Sequence, residues 1–150
     1  MLQNIIDNLK NQGIEPDLAQ SNLIEELKNT SPQNNTFINR IKKNKPSFKS
    51  FYVWGDVGRG KTVILRSFMK NLDLKVRDFH YIDFMQSIHN ELSSLSGKKN
   101  PLDHIAKSFS KKSEVIFIDE FQVEDIADAM IVGNLLNQLI GRNVFVYITY

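Results

Sequence analysis

The sequence predicts an α/β fold in which crossover helices connect the strands of a parallel sheet. From Phe51 onward, four short apolar runs alternate with amphipathic stretches of helical spacing, the pattern typical of that architecture. A glycine-rich turn follows the first run directly, and two carboxylates end the third. With 150 residues, of which 41% are hydrophobic, the chain is long enough to bury a core of its own.

Composition excludes several classes of protein. Without cysteine there are no disulfides, thiolate metal sites or cysteine nucleophiles. A net charge of +2 gives no argument for a polyanionic partner. The longest apolar run, residues 115–118, is far shorter than the roughly 20 residues that span a bilayer, and the N-terminus lacks the basic-then-apolar pattern of an export signal. We therefore expect a cytoplasmic protein that is not inserted in a membrane.

The first 48 residues predict a short helical segment followed by a linker. Apolar residues recur at helical spacing between Leu2 and Leu9, and Gly13 follows where that helix would end. A second helix is expected to open at Pro16, whose fixed φ suits a first turn. Residues 30–35 predict a break, and residues 37–49 are basic and polar. The predicted domains are therefore 1–48, a helical segment with a basic linker, and 49–150, the sheet domain.

Within the sheet domain, strands are predicted at residues 51–54, 79–82, 115–118 and 144–149. Apolar residues three and four apart predict one helix between the first two strands, two before the third strand, and one before the fourth. Asn100 is expected to cap one of these helices with Pro101 at its first position, and Gly141 is expected to end the last.

The turn after the first strand carries a phosphate-binding pattern, G-x-x-x-x-G-K-(S/T). Its residues are Gly55, Asp56, Val57, Gly58, Arg59, Gly60, Lys61 and Thr62. Glycines let the backbone curl so that successive N–H groups face phosphate oxygens at a helix N-terminus. Lys61 would reach the β- and γ-phosphates, and the Thr62 hydroxyl would bind Mg²⁺. The strand before and the helix after the turn disfavour the alternative, a glycine-rich surface turn beside a lysine.

The third strand ends in Asp119 and Glu120. Parallel α/β sheets place ligands at the carboxyl ends of their strands, so Asp119 is expected to hold Mg²⁺ and Glu120 to act as the general base for water. Many buried strands end in acids, so this pair alone leaves a structural role open. Because it follows Lys61 by 58 residues, with two crossover units between, it predicts binding and hydrolysis of ATP by in-line attack of water.

The run from Phe117 to Ile131 resembles the second signature of the ZapE cell-division ATPase family and its mitochondrial relatives. Agreement extends to further stretches: residues 17–20, residues 52–62, His80, Phe84-Met85, His89, Pro101-Leu102 and Ile105-Ala106. The resemblance implies an AAA+-type P-loop NTPase fold, with ATP and Mg²⁺ as cofactors. It also implies a role at the bacterial division septum through a tubulin-like division protein, a quality-control role in mitochondria, and action as a ring of identical subunits.

The same resemblance implies that part of the ATPase site comes from residues that would follow Tyr150. A fifth strand, an arginine finger and a helical lid would follow Tyr150, so we expect an N-terminal fragment with little turnover of its own. An arginine finger contributes about 10³ to 10⁵ in rate. Thr149 could take the place of the polar sensor residue that contacts the γ-phosphate, although a residue so near the end is expected to fray.

Several other residues receive weaker interpretations. Arg59 is expected to point toward solvent or a neighbouring subunit rather than act as the finger. His80 and His89 match family positions, but the sequence places no carboxylate or third histidine beside them at ligand spacing, so no metal site is predicted. His104 is expected on a solvated surface. Phe121 and Gln122 are expected to shape a family-specific surface near the nucleotide, with no role assigned.

Charged clusters favour structural interpretations. Acids at the start of the helix after the second signature, Glu124, Asp125 and Asp128, fit its dipole. Short lysine clusters favour solvated loops over nucleic-acid contact, since aromatic residues do not interleave them: 42–45, 98–99 and 111–112.

Two alternative functions stay open: a module that binds ATP or ADP and a partner protein without turnover, and a DNA-associated ATPase of the helicase-loader type.

Overall fold

The computed structural model describes residues 2–32, 49–56, 58 and 60–150. Of the predicted linker at 37–49, all but Lys49 lies outside the described residues, together with the lysine cluster at 42–45 and with Val57 and Arg59 of the phosphate turn. The elements in chain order are α1 (Leu2–Asn11), α2 (Leu18–Asn29), β1 (Ser50–Val53), α3 (Lys61–Lys70), β2 (Val76–His80), α4 (Tyr81–Ser94), α5 (Pro101–Lys112), β3 (Val115–Asp119), α6 (Ile126–Gly141) and β4 (Phe145–Thr149).

The described strands form one parallel sheet in the order β1-β4-β3-β2, which confirms the predicted α/β fold. Val53 lies opposite Thr149, and Ile148 lies opposite Ile118. On the other side of β3, Asp119 lies opposite His80. Because the strands run in one direction, their carboxyl ends share one edge of the sheet.

Two compact units make up the chain. The first contains the described residues of Met1–Phe48 together with Trp54–Asp73, and the second contains Lys49–Val53 with Leu74–Tyr150. In the first unit, α1 and α2 both contact α3, and Asn8 Nδ2 donates a hydrogen bond of 3.3 Å to Ser67 Oγ. The predicted boundary between residues 48 and 49 stays a prediction.

The second unit holds the sheet and its core. All five residues of β3 are buried, which is why this strand lacks the alternation of a half-exposed one. Side chains from α4, α5 and α6 pack with the sheet in one apolar cluster that includes Phe84, Ile88, Phe109, Ile116 and Leu135. Among the described residues, no helix has the length and apolar character that crossing a membrane requires.

The predicted start of α2 is wrong by two residues. The helix begins at Leu18 rather than Pro16, because Asp17 is its N-cap. The Gln20 N–H donates to the Asp17 side chain at 2.8 Å, and the Asp17 N–H donates to Gln20 Oε1 at 2.9 Å. This reciprocal capping box fixes the first turn, so Pro16 stays outside the helix.

The predicted second strand is also misplaced. Residues 79–82 form an apolar run, but β2 ends at His80 and Tyr81 begins α4. His80 is the N-cap, and its Nδ1 accepts the Ile82 N–H at 3.4 Å. The run crosses a strand–helix junction, which hydrophobicity alone does not reveal.

Other predicted boundaries hold in part. Asn100 precedes α5 with Pro101 at its first position, but Asn100 has a left-handed φ of 51° and its side chain makes no capping hydrogen bond. Gly141 is the last residue of α6, as predicted.

Candidate active site

The phosphate turn leads directly into α3. Gly58 and Gly60 have φ values of 83° and 74°, in the left-handed region that glycine adopts without strain. Gly60 is the residue before the helix, and a Cβ there would come within 3.3 Å of Gln20 Nε2. The capping box of α2 therefore places a side chain against the turn, a contact that the sequence did not predict.

Lys61 lies across its own turn. Its Nζ donates to Gly55 O at 2.6 Å and to Asp56 O at 2.8 Å. Both acceptors are neutral carbonyls, and a charged phosphate oxygen accepts a stronger hydrogen bond from an ammonium group. Thr62 follows in the first turn of α3 and is half-buried. At the start of a helix, backbone N–H groups and the dipole favour an anion.

The acidic pair ends β3 in the second unit. Asp119 is 4% exposed, and Glu120 follows it with a left-handed φ of 52°. Thr149 Oγ1 donates to Asp119 Oδ1 at 2.5 Å and accepts the Glu120 N–H at 3.2 Å. Thr149 is 2% exposed and belongs to β4, so the expected fraying is wrong. Its hydroxyl holds both acids at the carboxyl edge of the sheet.

Each of two histidines pairs with a carboxylate, a contact that the sequence analysis did not predict. His80 Nε2 lies 2.7 Å from Glu120 Oε2, and His89 Nε2 lies 3.0 Å from Asp128 Oδ1. The first pair could have been inferred from the strand order, because the neighbouring parallel strands β2 and β3 end at the same edge of the sheet. Spacing along the chain could not reveal either pair, since about forty residues separate the partners. His104 is exposed, as predicted.

Phe121, directly after Glu120, packs onto the start of α4. The Phe121 ring meets the Tyr81 ring edge-on, with centroids 5.1 Å apart, whereas Gln122 is exposed. Burial, and then the charges of Asp128 and Asp125, raise the pKa of Tyr81. Phe121 therefore has a packing role that the sequence did not assign.

The N-terminus of α6 has a side-chain cap, in addition to acidic residues whose charge favours the helix dipole. Asp125 accepts the N–H groups of Ala127 at 2.6 Å and Asp128 at 3.3 Å. One carboxylate thus satisfies two donors of the first turn, which have no partner within the helix. Asp125, which the sequence analysis assigned only a favourable interaction with the helix dipole, is therefore the N-cap of α6.

The candidate Mg²⁺ ligands are Thr62 in the first unit and Asp119 in the second. A hydroxyl and a carboxylate are oxygen donors of the kind that Mg²⁺ takes beside nucleotide phosphates. Each residue thus supplies a donor that fits Mg²⁺, and the assignment of both to one magnesium site stays a prediction.

The four-stranded parallel sheet with its crossover helices defines an α/β fold. This fold is similar to domain III of the Thermotoga maritima replication initiation protein DnaA, with a TM-score of 0.53 and 19% identity over 80% of this chain and 52% of that one. The family model of the AFG1-like ATPases matches residues 2–150. The chain therefore belongs to the AFG1-like ATPase family.

Curated relatives agree with this membership. The chain is 41% identical over 98 residues to the cell division protein ZapE of Escherichia coli K12, and 32% identical over 115 residues to the lactation elevated protein 1 homolog B of Danio rerio. These matches cover 64% and 67% of the chain, but only 26% and 22% of the relatives. The chain thus spans about a quarter of their length.

Proposed function

We propose that this chain binds ATP as its magnesium complex and hydrolyses it. The observation that carries the proposal is the turn before α3, where Lys61 Nζ donates to two backbone carbonyls of its own loop. On binding, the ammonium group would exchange these carbonyls for oxygens of the β- and γ-phosphates. Backbone N–H groups of the turn and of the start of α3 would bind the remaining phosphate oxygens.

Hydrolysis assigns distinct roles to the acids. Mg²⁺, held by Thr62 and Asp119, would neutralise charge on the phosphate oxygens. Glu120 accepts a proton from water as the water oxygen bonds to the γ-phosphorus, and the bond from that phosphorus to the bridging oxygen breaks to release ADP. A neighbouring subunit's arginine contributes about 10³ to 10⁵ in rate in related enzymes, so turnover by the isolated chain is expected to be slow.

The binding step is tested by titrating a fluorescent ATP analogue with Mg²⁺ into the wild-type chain, Lys61→Ala and Lys70→Ala. Lys70 is the exposed last residue of the same helix, so its loss removes an equal charge away from the turn. We expect Lys61→Ala to weaken binding at least about tenfold, since it removes a charge-assisted contact, and Lys70→Ala to leave it unchanged. Equal affinities for Lys61→Ala and the wild type would contradict the proposal.

The hydrolysis step is tested by phosphate release from the wild type and Glu120→Gln, with Mg²⁺ and with a chelator. Release that requires both Mg²⁺ and Glu120 supports an ATPase. Lys61-dependent binding without such release would favour the alternative, a nucleotide-dependent interaction module. Stimulation by DNA that disappears at high salt would favour an ATPase of the helicase-loader type.

We also propose that the protein acts in cell division as a ring of identical subunits that contacts the tubulin-like division protein at the septum. The 41% identity to a cell division protein supports this role. Cosedimentation with polymers of that division protein, with and without ATP, tests it. Retention that depends on ATP and on Lys61 is expected, and equal retention of Lys61→Ala would contradict it.

A further inference from the structure

The capping box of α2 gives the Gln20 side chain a defined orientation. Gln20 Oε1 accepts the Asp17 N–H at 2.9 Å, and the Gln20 N–H donates to Asp17 Oδ1 at 2.8 Å. A backbone N–H can only donate, so the side-chain atom that meets it is the amide oxygen and the other is the NH₂ group. With its oxygen held by the cap, the side chain directs Nε2 to a different neighbour.

That neighbour is Gly60 in the phosphate turn, which belongs to the same compact unit as α2. Nε2 lies 3.3 Å from the position that a Cβ on Gly60 would occupy. Gly60 has a left-handed φ of 74° and directly precedes Lys61, the first residue of α3. The amide of half-buried Gln20 therefore fills the space in which a side chain at residue 60 would lie.

We propose that Gln20 is a positioning residue of the nucleotide site, which holds Gly60 in its left-handed conformation and places an uncharged NH₂ group beside the turn. This inference rests on the proposed binding of Mg²⁺-ATP there. Backbone N–H groups bind phosphate oxygens only while the turn keeps its curl, and a loop already held in its bound conformation binds more tightly. Gln20 acts through the turn, so α2 becomes a part of the nucleotide site that the glycine–lysine pattern does not include.

Gln20→Glu separates this role from capping. Glutamate serves at this position of a capping box as well as glutamine does, and an acid in the first turn favours the helix dipole. The substitution keeps an oxygen for the Asp17 N–H but replaces the NH₂ group beside Gly60 with a negatively charged oxygen. A role in the cap alone tolerates that change, whereas a role beside a bound triphosphate does not, because like charges repel.

Asn22 provides the matched control. It lies two residues further along α2 and is exposed, and residues two apart do not share a helix face. Asn22→Asp therefore adds the same charge to α2 away from the face that carries Gln20. Asn22→Ala removes a carboxamide of the same kind.

The test titrates a fluorescent ATP analogue with Mg²⁺ into the wild type, Gln20→Ala, Gln20→Glu and the two Asn22 variants, and measures their stability by urea denaturation. We expect Gln20→Ala to weaken binding at least about threefold, since the turn is no longer held in its bound conformation. Gln20→Glu should weaken binding at least about tenfold through charge repulsion, although it should unfold at the same urea concentration as the wild type or at a higher one. Both Asn22 variants should bind within about twofold of the wild type, since salt screens exposed charges.

The outcomes separate this inference from the proposed function. If Lys61→Ala weakens binding while Gln20→Glu binds as tightly as the wild type, this inference alone is overturned. If Lys61→Ala binds as tightly as the wild type, the proposed ATP site fails and this inference fails with it. Equal losses in Gln20→Glu and Asn22→Asp would show a general effect of charge on α2 and also overturn the inference. A loss in Gln20→Glu with none in Gln20→Ala would overturn the positioning role, because it would show proximity to the nucleotide without support of the turn.

Hydrogen exchange measured by NMR provides a readout that does not depend on turnover. The Asp17 N–H exchanges when its bond to Gln20 Oε1 opens, so its rate reports how firmly the Gln20 side chain is held. Coupling between two sites is reciprocal, so a nucleotide whose binding depends on that orientation must also stabilise it. We expect a non-hydrolysable ATP analogue with Mg²⁺ to slow this exchange in the wild type and to leave it unchanged in Gln20→Ala. An Asp17 exchange rate that saturating analogue leaves unchanged in the wild type would overturn the inference.

Discussion

Thr149 Oγ1 donates a hydrogen bond of 2.5 Å to Asp119 Oδ1, joining the last residue of β4 to the last residue of β3. The same oxygen accepts the Glu120 N–H, and the Thr149 carbonyl accepts the Phe121 N–H at 2.8 Å. One residue thus supports three consecutive positions, the last residue of the buried strand and the two that follow it. The orientation of the acidic pair is therefore a property of the sheet edge and not of its own loop.

Thr149→Val tests this relationship. The substitution keeps the branched shape but removes the hydroxyl, so the buried Asp119 carboxylate loses a donor and the Glu120 N–H loses an acceptor. We expect the free energy of unfolding to fall by about 1–3 kcal/mol, the cost of an unsatisfied buried polar group, as measured by urea denaturation. Thr149→Ser keeps the hydroxyl and serves as the control. A valine variant as stable as the serine variant would contradict the assignment.

The sheet was predictable because its strands are short apolar runs between helical spacings. The third strand, residues 115–118, was placed within one residue of its observed end, since all of its residues are buried. The second strand was misplaced because β2 is only partly buried and its apolar end continues into α4. The hydrophobicity of a segment indicates how buried it is. It therefore locates the end of a strand only where burial changes at that end.

Gly60→Ala is expected to destabilise the first unit more than Gly13→Ala does. Both glycines are left-handed, with φ values of 74° and 75°, so both alanines are strained by about 1–2 kcal/mol. At Gly60 the new Cβ would also press against Gln20 Nε2 at 3.3 Å, whereas at Gly13 nothing described lies within 4 Å. Thermal unfolding of the two variants measures the difference. Equal losses would mean that Gln20 moves away without cost.

The same contact predicts a functional difference between these variants. Gly60 precedes the helix that would bind phosphate, so Gly60→Ala should weaken the binding of Mg²⁺-ATP, while Gly13→Ala should retain it. Titration with the fluorescent ATP analogue, at a temperature where both variants are folded, separates this effect from stability. Equal affinity would argue that the left-handed geometry at Gly60 is not needed for the nucleotide.

Asp125→Ala is expected to remove the cap of α6. The carboxylate accepts two N–H groups of the first turn, so its loss should lower the free energy of unfolding by about 1 kcal/mol, the usual value of an N-cap. Asp125→Asn retains an acceptor oxygen and should lose less. Urea denaturation of both variants measures the difference, and an alanine variant as stable as the asparagine variant would contradict the cap.

The residues of the candidate site were predictable to different degrees. The turn and the acidic pair are recognisable from local pattern, since the phosphate-binding pattern has glycines and a lysine at fixed spacing, and their roles toward a nucleotide stay predictions. The His80–Glu120 contact and the Gln20 contact at Gly60 join residues 40 positions apart in sequence. Such contacts depend on strand order and helix packing, which neither residue type nor spacing encodes.

Tyr147 predicts how stability changes at alkaline pH. Its side chain is 2% exposed and stacks on Phe51 with centroids 5.8 Å apart, and burial raises its pKa well above the ordinary value of 10.0. The unfolded chain therefore loses the phenol proton before the folded chain does. This contribution is fully present below pH 10 and is lost as the pH rises from there toward the folded pKa. Urea denaturation between about pH 9 and about 11.5 should show a smaller decline in the free energy of unfolding for Tyr147→Phe than for the wild type. Parallel curves for Tyr147→Phe and the wild type would show that the buried phenol does not control this decline.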